Sequence, residues 1–185
     1  TAVEVPKPRL IEGGKFTVYE VRIRPDIRYQ PHPGFLAENF SLSREKVDAL
    51  KSPYELPLGT RELTADDYIY QIKRLAHPKL HSPIYGLMAE YIVGLEDYAK
   101  LLKDQKHEGW LDLRNFPLKG VERVDALTFR VTLKGSYPQF VYWLAMPFFA
   151  PVPWEAEKFF EQPGMARKNF TLDWWPVGTG AYMLT

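Results

Sequence analysis

Polar and apolar residues alternate most strictly between Leu127 and Leu133, where Leu127, Phe129, Val131 and Leu133 are separated by Thr128, Arg130 and Thr132. A period of two places the first set on one buried face of a strand and the Thr and Arg side chains on the other. Val121–Val124 precedes it across Asp125-Ala126, so an antiparallel pair is expected. Phe16–Arg24, dense in β-branched and aromatic residues, predicts an earlier strand with Val21 and Ile23 on one face, Arg22 and Arg24 on the other, and Pro25 at its end. Ahead of it, Pro6, Pro8, Gly13 and Gly14 predict an extended, non-helical lead-in over residues 1–15 that ends in a turn.

Helical spacing is clearest in Leu63–Pro78, LTADDYIYQIKRLAHP. Thr64 is placed to cap the helix by accepting the Asp67 amide, and Asp66 and Asp67 put negative charge at its positive end. Tyr68, Ile69, Ile72, Leu75 and Ala76 then form the apolar stripe of about three turns, with Asp67, Gln71, Lys73 and Arg74 largely opposite, until Pro78 stops the helix. Further helices are predicted over Ser43–Leu50, with Ser43 as cap and Val47 and Leu50 packing, and over Pro83–Ile92. Others follow over Leu95–Gln105, with Leu95, Tyr98, Leu101 and Leu102 at helical spacing, and over Trp154–Glu161. Tyr137–Phe149 reads as a buried helix through Phe140, Trp143 and Leu144. Residues 26–61, with Pro31, Pro33, Pro53, Pro57, Gly34 and Gly59, are long for a connection, which marks them as a binding loop or an insertion. Gly178-Thr179-Gly180 reads as a tight turn entering a strand over Ala181–Leu184. The order of elements, with its antiparallel pair, implies an α+β or mixed α/β fold.

Composition narrows the function classes. The 185 residues are enough for one domain with a sizeable core, and 11 Tyr, 11 Phe and 5 Trp suit aromatic packing in a proline-rich, loop-rich chain. Lys plus Arg number 24 against 23 Asp plus Glu, so no net field draws nucleic acid or an anionic membrane. With no cysteine, disulfides, thiolate metal sites and cysteine nucleophiles are excluded. No apolar run reaches the length of a membrane span.

Candidate chemistry is sparse. His77 and His81 have metal-ligand spacing, but Pro78 stands between them and no HExxH carboxylate follows, so they read as solvated loop histidines. Asp66 and Asp67, like Glu96 and Asp97, are neighbours that project about 100° apart on a helix, which suits helix-start charge better than a catalytic pair. The Gly178–Gly180 turn lacks the glycines and following helix of a phosphate loop, and no Gly-x-Ser-x-Gly elbow or triad pattern occurs. Asn39-Phe-Ser and Asn169-Phe-Thr match the glycosylation acceptor without further support. These residues predict no enzyme, no cofactor and no metal site.

In order along the chain stand a strand ending in Arg22-Ile-Arg24, then LTADDYIYQIKRLAHPKLHSP, GVERVDALTFRVTLKGSYPQF, LAMPFFAPVPWEA and PVGTGAYML. This series resembles the extracellular solute-binding proteins of family 5, the periplasmic or lipid-anchored receptors of peptide, nickel and oligosaccharide ABC importers, over about Lys15–Leu184. Two departures are an expanded stretch at Asp26–Arg61 and Ala181 where many members have proline. The resemblance implies a fragment of a type II periplasmic-binding-protein fold. Residues 16–175 would form the extra subdomain of the first lobe and 176–185 a strand returning to that lobe, with the second lobe absent. It implies a non-catalytic receptor whose ligand, an oligopeptide above the other classes, is gripped by closure of two lobes in the full-length protein. The implied partner is the importer's membrane permease, at the periplasmic or extracellular face of the cell membrane. Ser82–Tyr91 is the stretch implied to lie nearest the ligand, with Tyr85 as the contact. The alternatives are a self-contained interaction domain that uses residues 26–61, and a hydrolase built on scattered Asp and His.

Overall fold

A computed structural model describes residues 1–105 and 109–183. Among the described residues the strands are β1 (Pro8–Ile11), β2 (Phe16–Arg22), β3 (Val121–Asp125) and β4 (Thr128–Lys134). The α-helices are α1 (Arg44–Ala49), α2 (Ala65–Arg74), α3 (Tyr85–Tyr91), α4 (Leu95–Lys103), α5 (Phe140–Trp143) and α6 (Trp154–Phe160). The chain divides into two units. The first comprises Thr1–Pro25, Thr64–Lys106 and Asp112–Pro151, and the second Asp26–Leu63, His107–Leu111 and Val152–Thr185.

The first unit is organised by an antiparallel sheet of order β1-β2-β4-β3. Alternation carries its register: Tyr19 stands opposite Val131 and Val21 opposite Phe129, so the odd residues of β2 and β4 share one face. Tyr19, Val21, Ile23, Phe129, Val131 and Leu133 are all buried there, all but Tyr19 as expected from the sequence, whereas Leu127 is only half-buried and Thr128, expected on the polar face, is buried. The other face is polar, and Arg130 bridges Glu20 at 2.8 Å and Glu122 at 3.5 Å, each directly opposite it across the ladder. The lead-in is more ordered than its prolines imply, because β1 pairs with β2 along the sheet edge and a short 3₁₀ turn at Glu12–Gly14 joins them. Pro8 opens that edge strand, a position where a missing N–H is tolerated.

Helix α2 covers the sheet and starts where expected, with a capping box between Thr64 and Asp67. Thr64 N–H donates to Asp67 Oδ2 at 2.9 Å and the Thr64 hydroxyl to the same oxygen at 3.3 Å. Because this buried carboxylate serves the helix start, Asp67→Ala is expected to cost about 1–2 kcal/mol in urea unfolding. The polar face predicted for α2 is corrected by the structure. Asp67, Gln71 and Lys73 are buried, whereas Tyr68 and Ile69 are only half-buried. Buried polar groups need partners, and distant backbone supplies them: Gln71 Nε2 donates to Phe148 O at 2.7 Å and Lys73 Nζ to Leu113 O at 3.1 Å. Burial pulls the Lys73 pKa down, against the raising influence of Asp112 and Asp66.

Three further expectations shift. Leu101 of α4 is 40% exposed, while Leu95, Tyr98 and Leu102 pack inward as predicted. The helix predicted over Tyr137–Phe149 is one turn, α5, followed by a 3₁₀ turn at Pro147–Phe149. Phe140 and Phe149 are buried but Tyr142 is 70% exposed, because Pro147 cannot continue the ladder and the chain turns away. At Ala181–Met183 the described backbone is irregular, and the remainder of the predicted strand lies outside the described residues.

The second unit carries little regular structure yet has its own core of Val47, Leu50, Leu56, Phe159, Phe160, Met165 and Phe170. Ser43 caps α1 by accepting Lys46 N–H at 3.2 Å, and Lys168 Nζ donates to the carbonyls of Asp48 and Leu50 at its other end. Side-chain amides replace missing ladders. Asn39 Nδ2 donates to Pro33 O at 2.9 Å and Pro57 O at 3.0 Å, while Gln162 Nε2 donates to Asn39 O at 2.9 Å. Arg61 grips Glu155 with bonds of 2.6 and 2.7 Å. Residues 26–61 thus form about half of a packed unit.

Candidate functional site

The first unit contains an apolar cleft of about 620 Å³, within the size range of small-ligand sites. Its floor is the buried sheet face: Val21 from β2, Ile23 just beyond the end of that strand, and Phe129 from β4. One wall is Leu144–Pro151, which is placed there by the break after α5. The opposite wall is the N-terminal segment. It is tied to the sheet edge by Val3 N–H to Arg22 O at 2.8 Å and Arg24 N–H to Thr1 O at 3.0 Å. Tyr68 closes one side, stacked on Phe129 with ring centroids 5.3 Å apart and its hydroxyl bonded to the Thr1 hydroxyl. Burial raises the Tyr68 pKa; the Thr1 bond opposes this and Asp67 adds to it, so the phenol is a neutral hydrogen-bonding group near neutral pH. Glu4 is the one carboxylate among the lining residues, and it is exposed. The cleft can enclose an apolar group.

Tyr85, the contact implied from the sequence, is the first residue of α3 and is half-buried. It is not among the cleft residues. Its phenol pKa is raised first by burial and then by Glu96, with Lys100 acting the other way. Glu96 and Lys100 form an exposed ion pair of 2.8 Å one turn apart on α4. Tyr85 therefore stands beside a small polar patch. His77 Nδ1 accepts Lys79 N–H at 3.2 Å, and His81 is exposed with a left-handed φ of 46°. Asp66 pairs with Arg123 at 3.0 Å, in keeping with a structural charge.

Sequence reasoning missed the cleft residues and His32. The cleft wall was hidden because Tyr137–Phe149 carries helical spacing across a break that only Pro147 announces. His32 gave no periodic signal, since it lies between prolines in a stretch without α-helix or strand.

The fold is shared with solved solute receptors. The pheromone receptor PrgZ, whose structure is described with its mode of peptide binding, superimposes with a TM-score of 0.57 at 18% identity, over 98% of this chain and 27% of that one. The substrate-binding domain of an oligopeptide ABC transporter from Bacillus anthracis strain Ames gives 0.55 at 21% identity, over 98% of this chain and 26% of that one. Listeria monocytogenes OppA bound to peptide gives 0.54 at 18% identity, over 100% of this chain and 26% of that one. This chain thus spans about a quarter of the length of these receptors. No curated protein sequence matches it. Residues 59–185 match the middle region that defines bacterial extracellular solute-binding proteins, family 5, and the chain belongs to that family. It is a family of binding proteins, not of enzymes. No helix among the described residues is long and apolar enough to cross a membrane.

Proposed function

We propose that this chain is part of the substrate receptor of an ABC importer, with oligopeptides as its ligands. The family match over residues 59–185 carries the reading. Peptide as the ligand class is supported by the similar structures, which are of proteins described by peptide binding or oligopeptide transport. The receptor works at the periplasmic or extracellular face of the membrane and delivers its ligand to a membrane permease. Residues 16–175 belong to the extra subdomain of its first lobe, and 176–185 lead back into that lobe. Tyr85 contributes a ligand contact: it is half-buried, and its hydroxyl is backed by Glu96 and Lys100, so it can donate or accept a hydrogen bond to a peptide backbone.

Thermal-shift screening of the full-length protein tests this. Short peptides are expected to raise Tm, whereas oligosaccharides and nickel leave it unchanged, because a ligand that binds only the native state stabilises it. Tyr85→Ala is expected to reduce peptide affinity about fivefold to tenfold, the loss of one hydrogen bond of about 1 kcal/mol, with Tm of the unliganded protein held. Unchanged affinity in Tyr85→Ala would remove that contact and leave the receptor reading standing; stabilisation by sugar or nickel alone would overturn the ligand class.

A further inference from the structure

The second unit is built around an imidazole that its surroundings keep neutral. His32 is fully buried at 0% exposure. Its Nδ1 accepts Gly34 N–H at 3.0 Å, and its backbone exchanges bonds of 2.9 and 3.2 Å with Gly59. An accepting Nδ1 leaves the ring proton on Nε2, and Nε2 has no hydrogen-bond partner among the described residues. Four rings surround it at steep angles: Phe160, Phe159, Tyr54 and Phe35, at centroid distances of 5.2, 5.6, 6.1 and 6.2 Å. Protonation would place a second N–H at Nδ1, facing the Gly34 donor across 3.0 Å, and would strand a cation away from water.

The charged groups on the packed elements are Glu55 beside Tyr54 and Glu155, Glu157, Lys158 and Glu161 on α6. Glu55, next to Tyr54, accepts Lys51 N–H at 3.3 Å. On α6, Glu155 holds Arg61, Lys158 lies 4.4 Å over the Phe40 ring, Glu161 is exposed, and Glu157 is buried. The Tyr54 phenol is pushed up by its own burial. Burial alone holds the His32 pKa down, to about 3.

We propose that His32 is an acid-labile latch: on mild acidification the second unit opens locally, because the opened form exposes an imidazole that binds a proton the closed form refuses. The sign follows from linkage. An exposed histidine takes up its proton below a pH of about 6.5, while closed His32 does so only near 3. Between these values the open form holds one more proton, so the closed form loses stability as pH falls, by about tenfold per pH unit. Above about 6.5 and below about 3 the dependence disappears.

Site-resolved hydrogen exchange on this chain, corrected for intrinsic exchange, tests the latch. From about pH 7.5 to about pH 5, above most carboxylate titration, opening constants at Gly34, Leu56 and Phe160 are expected to rise about thirtyfold. Those at Val131 and Thr132 in the first unit stay flat. His32→Asn keeps an acceptor for Gly34 N–H but cannot titrate, and should abolish the rise; Glu157→Gln should leave it intact. The same rise in His32→Asn, its loss in Glu157→Gln, or an equal rise in both units would overturn the proposal. If His32→Asn does not fold, the imidazole NMR signals of wild-type His32 decide: a neutral ring down to about pH 4 is required, and a midpoint near about 6.5 contradicts it.

Discussion

Gly120→Ala is expected to destabilise the first unit by about 3 kcal/mol or more, lowering Tm by roughly 6–12 °C. A methyl group at this position would stand 2.3 Å from Val93 O, 2.9 Å from Val93 N and 3.1 Å from Val93 C. All three are backbone atoms, so no rotamer change relieves the overlap. Nor can the two turns move apart freely. Thr132 N–H donates to Gly120 O at 2.8 Å and Val93 N–H to Thr132 O at 3.0 Å, so separating residues 93 and 120 pulls on both bonds at β4. Urea unfolding followed by circular dichroism measures the loss, and a change below about 0.5 kcal/mol, the usual range for harmless surface substitutions, would show that this approach is looser than described.

Phe140→Ala is expected to cost about 3–5 kcal/mol. Phe140 is fully buried at 0% exposure, 5.3 Å from the Tyr19 ring and 5.8 Å from the Phe149 ring, which it meets edge to face. Its removal leaves a void between the sheet and the turn that forms the cleft wall, and it removes aromatic pairing on two sides. Tyr142, two residues on and 70% exposed, provides the contrast: Tyr142→Ala should change stability by less than about 0.5 kcal/mol. If the two variants are equally stable by urea unfolding, α5 does not pack as described.

Where the sequence carried its own explanation, it was readable. Phe129, Val131 and Leu133 announce a half-buried strand because the pleat imposes period two, and Thr64 with Asp67 announces the α2 start because a helix leaves its first amides unpaired. Gln71 and Lys73 defeated the same reasoning: a polar side chain reads as exposed, and the carbonyls that satisfy these two belong to Phe148 and Leu113, far along the chain. Distance also hid the second unit. Val47 and Leu50 were legible as packing residues, but their partners Phe159, Phe160 and Met165 lie more than 100 positions away. The β1 edge strand was obscured by Pro6 and Pro8, and the cleft by a break inside what looked like one helix. Tyr85 is legible only through the family likeness, because neither periodicity nor a motif singles out that position.

That the chain belongs to a receptor rather than a catalyst is the claim on which the rest depends. Calorimetric titration of the full-length protein with a short peptide, followed by mass spectrometry of the recovered ligand, tests it most directly. The expected result is saturable binding of about one peptide per protein, recovered chemically intact after prolonged incubation. Cleaved or modified peptide, or no heat of binding with any member of a varied peptide set, would contradict it.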